Sequence, residues 1–259
     1  MSKIYDALRR AERDRGGPRS REREELTRPP RPPRPPRAAE GTRVLTGMDE
    51  RFRRSLLNLK NAIDSELKAK ESRVVLFTSA VRGEGKTTIV ASLARILSLG
   101  DSQKTLLVDC AIRDPQLHRL FGTGNAKGIV EYLSGRASLA DVVRTVDEGV
   151  LDLVPAGSCE DADAMQPLFA SDAFALFLKE AASRYDYVLV DSSAVLESPE
   201  TALIGSRVDG IVLVVHAAKT RREVIKRAML MVQKLDGVFI GTVLNKKKYY
   251  IPERIYRRV

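Results

Sequence analysis

Cysteine and histidine are scarce in this sequence, and long apolar runs are missing. The 259 residues contain two cysteines, Cys110 and Cys159, which excludes a disulfide-stapled secreted scaffold and fits a reducing compartment. The two histidines, His118 and His216, form no metal-ligand spacing. No apolar run approaches the roughly 20 residues of a membrane helix, and the first residues lack the apolar stretch of a signal peptide. We therefore expect a soluble, cytoplasmic protein.

The positive charge of the chain is concentrated at its two ends. Residues 1–44 hold 13 basic and 7 acidic residues, and residues 245–259 hold 6 basic and 1 acidic. The formal net charge is +10, so the body between the two ends is close to neutral. This pattern excludes a uniformly basic nucleic-acid-binding domain, and we expect no nucleic-acid partner.

The basic N-terminal extension, residues 1–44, differs in composition from the rest. Ile4, Ala7, Leu8 and Ala11 repeat at helical spacing and predict a short amphipathic helix, either a docking element or a helix that frays in solution. Residues 29–37 contain six prolines, which favours a stiff polyproline II spacer over a ligand for a proline-reading domain. We expect three parts: this largely disordered extension, a domain over residues 45–245, and a basic tail over residues 246–259.

The body alternates between apolar β-branched runs and helical segments, which predicts an α/β fold with a mostly parallel sheet and helices on both faces. A first helix over residues 49–68 carries one apolar stripe, formed by Phe52, Leu56, Leu59, Ile63 and Leu67. Strands are predicted at residues 74–77, 106–108, 151–154, 187–190, 211–215 and 239–244. Further helices are predicted at residues 87–99, 173–183 and 221–235.

A phosphate-binding loop, residues 79–88, lies between the first predicted strand and the helix after it. The loop follows the Walker A pattern, with Ala80 where the commonest form has glycine. Its glycines allow backbone N–H groups to surround phosphate oxygens, and the helix N-terminus adds its positive dipole end. We expect Lys86 to contact the β- and γ-phosphates and the Thr87 hydroxyl to ligate Mg²⁺. The predicted nucleotide-binding residues are Val81, Arg82, Gly83, Glu84, Gly85, Lys86, Thr87 and Thr88.

Two acidic residues end predicted strands, at the sheet edge where ligands bind in open α/β folds. Asp191 is predicted to hold Mg²⁺ as the Walker B carboxylate, and Asp109 to act on the group that attacks the γ-phosphate. Asn245, at the end of the last strand, would either bind an adenine edge or form a turn. Cys110 is interpreted as a small buried residue and not as a nucleophile.

These motifs resemble those of a known family. The loop at 79–88, the segments at 106–109 and 112–115, Asp191 and residues 243–245 are similar to bacterial tyrosine autokinases of capsule and exopolysaccharide systems, of the CpsD/CapB type, which are relatives of the MinD/ParA ATPases. The resemblance extends from about Glu50 to Asn245 and includes residues 128–133 and 153–157. Residues 1–12 resemble the start of stand-alone members.

The resemblance implies an ATP- and Mg²⁺-dependent kinase that transfers the γ-phosphate to tyrosines in a neighbouring subunit's C-terminal tail and thereby regulates polysaccharide polymerisation and export. It assigns Lys86 and Thr87 to the nucleotide, and Arg113 and Asn245 are further candidate nucleotide-binding residues. The Mg²⁺ ligands that it implies are Thr87, Asp109 and Asp191. Asp109 would also be the base that accepts the proton of the tyrosine hydroxyl. Glu50 and Arg53 match two positions of a Glu-x-x-Arg-x-x-Arg subunit contact.

The implied partners are further copies of the chain in a ring and a membrane polysaccharide co-polymerase, or chain-length determinant. This partner would recruit the protein to the inner membrane. The resemblance also admits a cognate tyrosine phosphatase. The candidate phosphoacceptors are Tyr249, Tyr250 and Tyr256, although the same segment could instead form a closing helix after Pro252.

The sequence departs from the family pattern at four places. A second aspartate is replaced by Ala111, the third contact arginine by Leu56, and the residues after Asp191 are Ser192-Ser193-Ala194. The tail also has fewer tyrosines. Loss of a carboxylate from a Mg²⁺ and phosphate site weakens catalysis. Three interpretations therefore stay open: a weakened tyrosine kinase, an ATP-binding switch or adaptor of the same machinery, and a MinD/ParA-like ATPase.

Overall fold

The computed structural model describes residues 48–100, 103–147, 151–159 and 166–247. The predicted N-terminal helix, the proline tract and Tyr249, Tyr250 and Tyr256 lie outside these ranges. Within them, no helix is both long and apolar enough to cross a membrane.

Seven strands and nine helices are found in the described residues. The strands are β1 (Arg73–Ser79), β2 (Thr105–Asp109), β3 (Arg144–Asp147), β4 (Leu151–Val154), β5 (Tyr187–Asp191), β6 (Gly210–His216) and β7 (Val238–Asn245). The helices are α1 (Glu50–Glu66), α2 (Lys86–Gly100), α3 (Leu117–Leu120), α4 (Ile129–Leu133), α5 (Leu139–Val142), α6 (Gln166–Ala170), α7 (Asp172–Ala182), α8 (Glu200–Gly205) and α9 (Arg222–Val232).

The strands form one sheet in the order β3-β4-β2-β5-β1-β6-β7. All neighbours pair in parallel except β3, which pairs antiparallel to β4. The predicted α/β class and parallel sheet are therefore confirmed. Because the central strands are parallel, their carboxyl ends meet at one edge of the sheet, where β1, β2 and β5 deliver the predicted site residues.

Side chains of the central strands alternate between two cores, one on each face of the sheet. Val74 and Leu76 pack in the core that holds Phe174 and Phe177 of α7 and Val232 of α9. Val75 and Phe77 pack in the second core, beneath α1 and α2. Helices thus cover both faces, as predicted.

Helix α1 confirms the predicted apolar stripe. Leu56, Ile63 and Leu67 are buried, and Phe52 and Leu59 pack against the same core. Asp49 precedes the helix as its N-cap, with its carboxylate accepting a hydrogen bond from the Arg51 amide at 3.3 Å. Since Leu56 is buried, the third position of the predicted contact motif faces the core.

Candidate nucleotide-binding site

The phosphate-binding loop is held in shape by a buried acid, Glu84. Its carboxylate accepts hydrogen bonds from the backbone N–H groups of Val81 and His216, both at 3.0 Å, and from the Thr220 hydroxyl at 2.5 Å. The side chain is 2% exposed. The sequence predicted Glu84 as a nucleotide-binding residue. In the structure its carboxylate instead connects the loop to the end of β6 and to the segment after it.

The end of β7 closes on the loop from the other side. Asn245 donates from Nδ2 to the Glu84 carbonyl oxygen at 2.8 Å, and its Oδ1 accepts from the Lys246 amide at 2.8 Å. Gly85 has a φ of +92°, and a side chain there would collide with the Asn245 amide. Lys246 donates from Nζ to the Gly83 carbonyl oxygen at 2.9 Å. Asn245 therefore stabilises both the phosphate-binding loop and the turn at Lys246, directly after β7.

Asp109 and Asp191 lie side by side at the carboxyl ends of β2 and β5, and both are fully buried. Asp109 accepts three backbone hydrogen bonds, from Ala111 to Oδ1 and from Gln116 and Leu117 to Oδ2, at 3.1–3.2 Å. Burial and the Asp191 charge nevertheless raise the pKa of Asp109 to about 7. A carboxyl group with this pKa can accept a proton near neutral pH.

The second carboxylate, Asp191, has a different environment. Among the described residues, no side chain or backbone group donates a hydrogen bond to either of its oxygens. The Lys86 ammonium lies 3.8 Å from Oδ1. Burial raises the pKa of Asp191, whereas Lys86 and the Thr87 hydroxyl act to lower it.

A cavity of about 280 Å³ opens between the loop, the β2–α3 segment and the β5–α8 segment. It is lined by Arg82, Gly83, Gly85, Lys86, Thr87, Ala111, Arg113, Asp114, Gln116, Ser193, Ala194, Glu197 and Ser198. Arg113 pairs with the buried Glu200 at 3.1 Å. A second cavity of about 210 Å³ adjoins the loop on the β6 side and is lined in part by Val81, Glu84 and Lys219.

The structure thus brings together the loop, Arg113 and the two aspartates that the sequence singled out. Cys110 is buried, and burial with the charges of Asp109 and Asp191 raises its pKa, which fits the predicted structural role. Glu50 and Arg53 are exposed on α1. The sequence included Asp114 in the segment at 112–115 but gave it no role, and it did not indicate the contacts of Glu197 and Lys246 with the loop, because these contacts join segments far apart in the chain.

The donor set fits Mg²⁺ bound together with a nucleotide. The described residues contain no cluster of three or more His, Cys, Asp or Glu that would hold a metal alone. A Mg²⁺ ion at a phosphate-binding loop takes few protein ligands and completes its shell with phosphate oxygens and water. The Thr87 hydroxyl and the unpartnered oxygens of buried Asp191 supply ligands of this kind.

The comparisons with known proteins agree with this geometry. A family model described as AAA domain matches residues 72–236. The tyrosine-protein kinase CpsD of Streptococcus agalactiae is 32% identical over 190 residues, which cover 72% of this chain and 81% of CpsD. The chain belongs to the bacterial tyrosine-protein kinase family.

This chain is also similar to another protein by sequence and to two solved structures. The succinoglycan biosynthesis transport protein ExoP of Rhizobium meliloti is 31% identical over 75% of this chain and 25% of ExoP. The solved kinase domain of VpsO is 28% identical, with a TM-score of 0.66 over 76% of this chain and 97% of that domain. A ParA family ATPase from Chlorobium tepidum shares the fold, with 19% identity and a TM-score of 0.54 over 68% of this chain and 74% of the ATPase.

Proposed function

We propose that the protein is an ATP-dependent tyrosine autokinase that regulates capsule or exopolysaccharide polymerisation and export. Membership of the bacterial tyrosine-protein kinase family supports the reaction, and the similarity to ExoP supports the process. The observation that carries the proposal is a cavity lined by Lys86 and Thr87, with the Lys86 ammonium 3.8 Å from buried Asp191, which pairs in register with Asp109. This arrangement joins a phosphate site, a Mg²⁺ site and a proton acceptor.

Lys86 and the backbone N–H groups of the loop would bind the terminal phosphates of ATP. Thr87 and Asp191 would hold Mg²⁺, which when bound neutralises phosphate charge and orients the γ-phosphate. Asp109 would take the proton of the acceptor hydroxyl, and its raised pKa supports this assignment. Arg113 would contact the nucleotide from the β2–α3 segment, while Asn245 holds the loop.

The acceptors would be Tyr249, Tyr250 and Tyr256 in the tail of a neighbouring subunit. Strand β7 ends at Asn245 against the phosphate-binding loop, so the chain leaves the sheet beside the site. Positive charge at Lys246 and Lys247 would favour approach of this segment to a neighbour's phosphate site.

The partners that we propose for the kinase are those that its resemblance to the family implies. Glu50 and Arg53 lie exposed three residues apart on one face of α1, where they would contact a neighbour in a ring. A membrane polysaccharide co-polymerase would recruit and activate the ring at the inner membrane, and a cognate tyrosine phosphatase would reverse the modification. Residues 1–44 would form the recruiting extension.

A second candidate is an ATP-binding switch of the same machinery. It is favoured by Ala111, which lines the cavity without a carboxylate, and by Asp109, which already accepts three backbone hydrogen bonds. A switch would bind ATP and change its partners without transferring phosphate.

Radiolabelled ATP separates these functions from each other and from ATP hydrolysis. Full-length protein, its Asp109→Asn variant and its Lys86→Met variant are incubated with γ-labelled ATP and Mg²⁺. The kinase predicts label on the wild-type protein and a strong loss in both variants. Label released as free phosphate would indicate an ATPase, and bound but intact ATP would indicate a switch.

A further inference from the structure

The function proposed above gives no role to the guanidinium group of Arg82. Its backbone N–H donates to Glu197 Oε1 at 3.1 Å, which fixes the main chain against the β5–α8 segment. Its guanidinium extends across the cavity and donates to Asp114 Oδ2 at 2.7 Å. Gln116 donates to the other oxygen of Asp114 at 2.8 Å. Arg82 and Asp114 thus join two segments across the cavity.

The ion pair between Arg82 and Asp114 is exposed. The two side chains are 73% and 43% exposed, whereas Lys86 is 16% exposed and Asp191 is fully buried. Exposed pairs contribute little to stability because water already solvates both charges. A phosphate group carries more charge than a carboxylate and accepts paired hydrogen bonds from guanidinium, so it competes well for Arg82.

The position of Arg82 relative to Lys86 defines what it would bind. Both side chains line the cavity of about 280 Å³, with Lys86 at its buried side and Arg82 at its exposed side. A terminal phosphate held by Lys86 and Thr87 would therefore face the guanidinium. A diphosphate nucleotide lacks the group that would reach it.

We propose that Arg82 is a further catalytic residue, whose guanidinium exchanges its ion pair with Asp114 for a contact with the γ-phosphate. Asp114 is the carboxylate that holds the guanidinium at the cavity until the nucleotide binds and then competes with the phosphate for it. The inference rests on the proposed kinase function. During transfer the tyrosine oxygen bonds to the γ-phosphorus and its proton passes to Asp109. The bond to the β–γ bridging oxygen breaks, and its electron pair leaves on ADP. Arg82 stabilises the charge on the transferring phosphoryl oxygens.

Binding measurements test the contact without any need for turnover. ATP and ADP affinities are measured by calorimetry with Mg²⁺ for full-length wild type, Arg82→Ala, Arg82→Lys and Asp114→Asn. Arg184→Ala is the matched control, because Arg184, two residues after the end of α7, forms an exposed pair with Glu180 of that helix at 2.6 Å and does not line the cavity. Thermal unfolding confirms that each variant is folded.

We expect Arg82→Ala to weaken ATP binding about tenfold while ADP binding stays nearly constant. Arg82→Lys should restore part of the preference for ATP. Asp114→Asn should keep or strengthen ATP binding, because it releases the Arg82 guanidinium. The double variant Arg82→Ala with Asp114→Asn should bind ATP as Arg82→Ala does. Phosphotransfer should fall about 100-fold in Arg82→Ala and persist in Asp114→Asn.

Equal weakening of ATP and ADP binding, or unchanged binding in folded Arg82→Ala, would overturn the proposal. A loss in Asp114→Asn as large as in Arg82→Ala would overturn the assigned roles. Absence of phosphotransfer in the wild type would overturn the catalytic half together with the kinase function, whereas a lost preference for ATP would still support the γ-phosphate contact.

Discussion

Asp109 and Asp191 face each other in register across the parallel strands β2 and β5, and the Cys110 amide donates to the Asp191 carbonyl oxygen at 2.8 Å. The two strand ends are therefore fixed relative to each other, and both carboxyl groups are buried. Two ionised carboxylates this close repel, so ionisation of the pair depends on the cations that reach it.

The raised pKa of Asp109 predicts a pH-dependent affinity for the Mg²⁺–ATP complex. Below about pH 7 Asp109 is largely protonated, and a cation at the site favours the ionised form. Binding should release protons, and affinity should rise as pH increases through 7 and level off above it. Calorimetry in buffers of different ionisation enthalpy measures the protons released. Asp109→Asn should flatten the dependence of affinity on pH. An unchanged dependence in that variant would show that a group other than Asp109 releases the proton.

Replacement of Lys86 by methionine should abolish ATP binding and leave the fold intact. The ammonium contacts the site and not the core, so its loss removes charge-assisted bonds to phosphate without a cavity. We expect affinity for a fluorescent ATP analogue to fall at least about 100-fold. Lys104→Met, an exposed position just before β2 at the opposite edge of the sheet, is the control. Unchanged affinity in folded Lys86→Met would contradict the assignment of residues 79–88 as the phosphate-binding loop.

Replacement of Glu84 by alanine should destabilise the protein and prevent nucleotide binding. Three donors, from Val81, His216 and Thr220, would lose their buried acceptor. We expect a loss of about 3 kcal/mol in the free energy of unfolding, measured with guanidinium. Glu84→Gln keeps one acceptor oxygen and should lose less. The exposed Glu71→Ala is the control, and a Glu84→Ala variant as stable as this control would contradict the role of Glu84.

Introduction of a carboxylate by Ala111→Asp should raise autophosphorylation and strengthen its dependence on Mg²⁺. Ala111 lines the cavity, so the new carboxylate would face the metal and phosphate region. Without a cation it adds repulsion to Asp109 and Asp191, so thermal stability should fall in chelator and recover with Mg²⁺ and ATP. Activity that stays at zero despite this recovery would favour the ATP-binding switch.

The central fold was predictable because buried strands are short β-branched runs. The prediction for β4 coincides with the structure, and those for the other five predicted strands are shorter by one or two residues at one or both ends. Strand β3 was missed, since Arg144–Asp147 has no apolar run and pairs antiparallel with β4. Helix α9 is shorter than predicted, because hydrogen bonds of Lys234 and Leu235 to residues three positions back tighten the chain after Val232.

The site was predictable where one segment carries a motif and less so where separate segments meet. Lys86, Thr87, Asp109 and Asp191 follow from strand ends and loop spacing. The partner of Arg82, Asp114, is 32 residues away, and the Lys246 contact to Gly83 spans 163 residues. Such contacts depend on the order of strands in the sheet, which periodicity does not determine.

The measurement that tests the kinase assignment most directly is phosphate on the tail tyrosines. Full-length protein is incubated with Mg²⁺ and ATP, and peptides covering Tyr249, Tyr250 and Tyr256 are analysed by mass spectrometry. Wild type should carry phosphate on at least one of them, and Lys86→Met and the triple Tyr→Phe variant should carry none there. Mixing Lys86→Met with active triple-Phe protein should place phosphate on the Lys86→Met tail, because the acceptor belongs to a neighbour. Wild-type protein that binds ATP but stays unmodified at all three tyrosines would contradict the account.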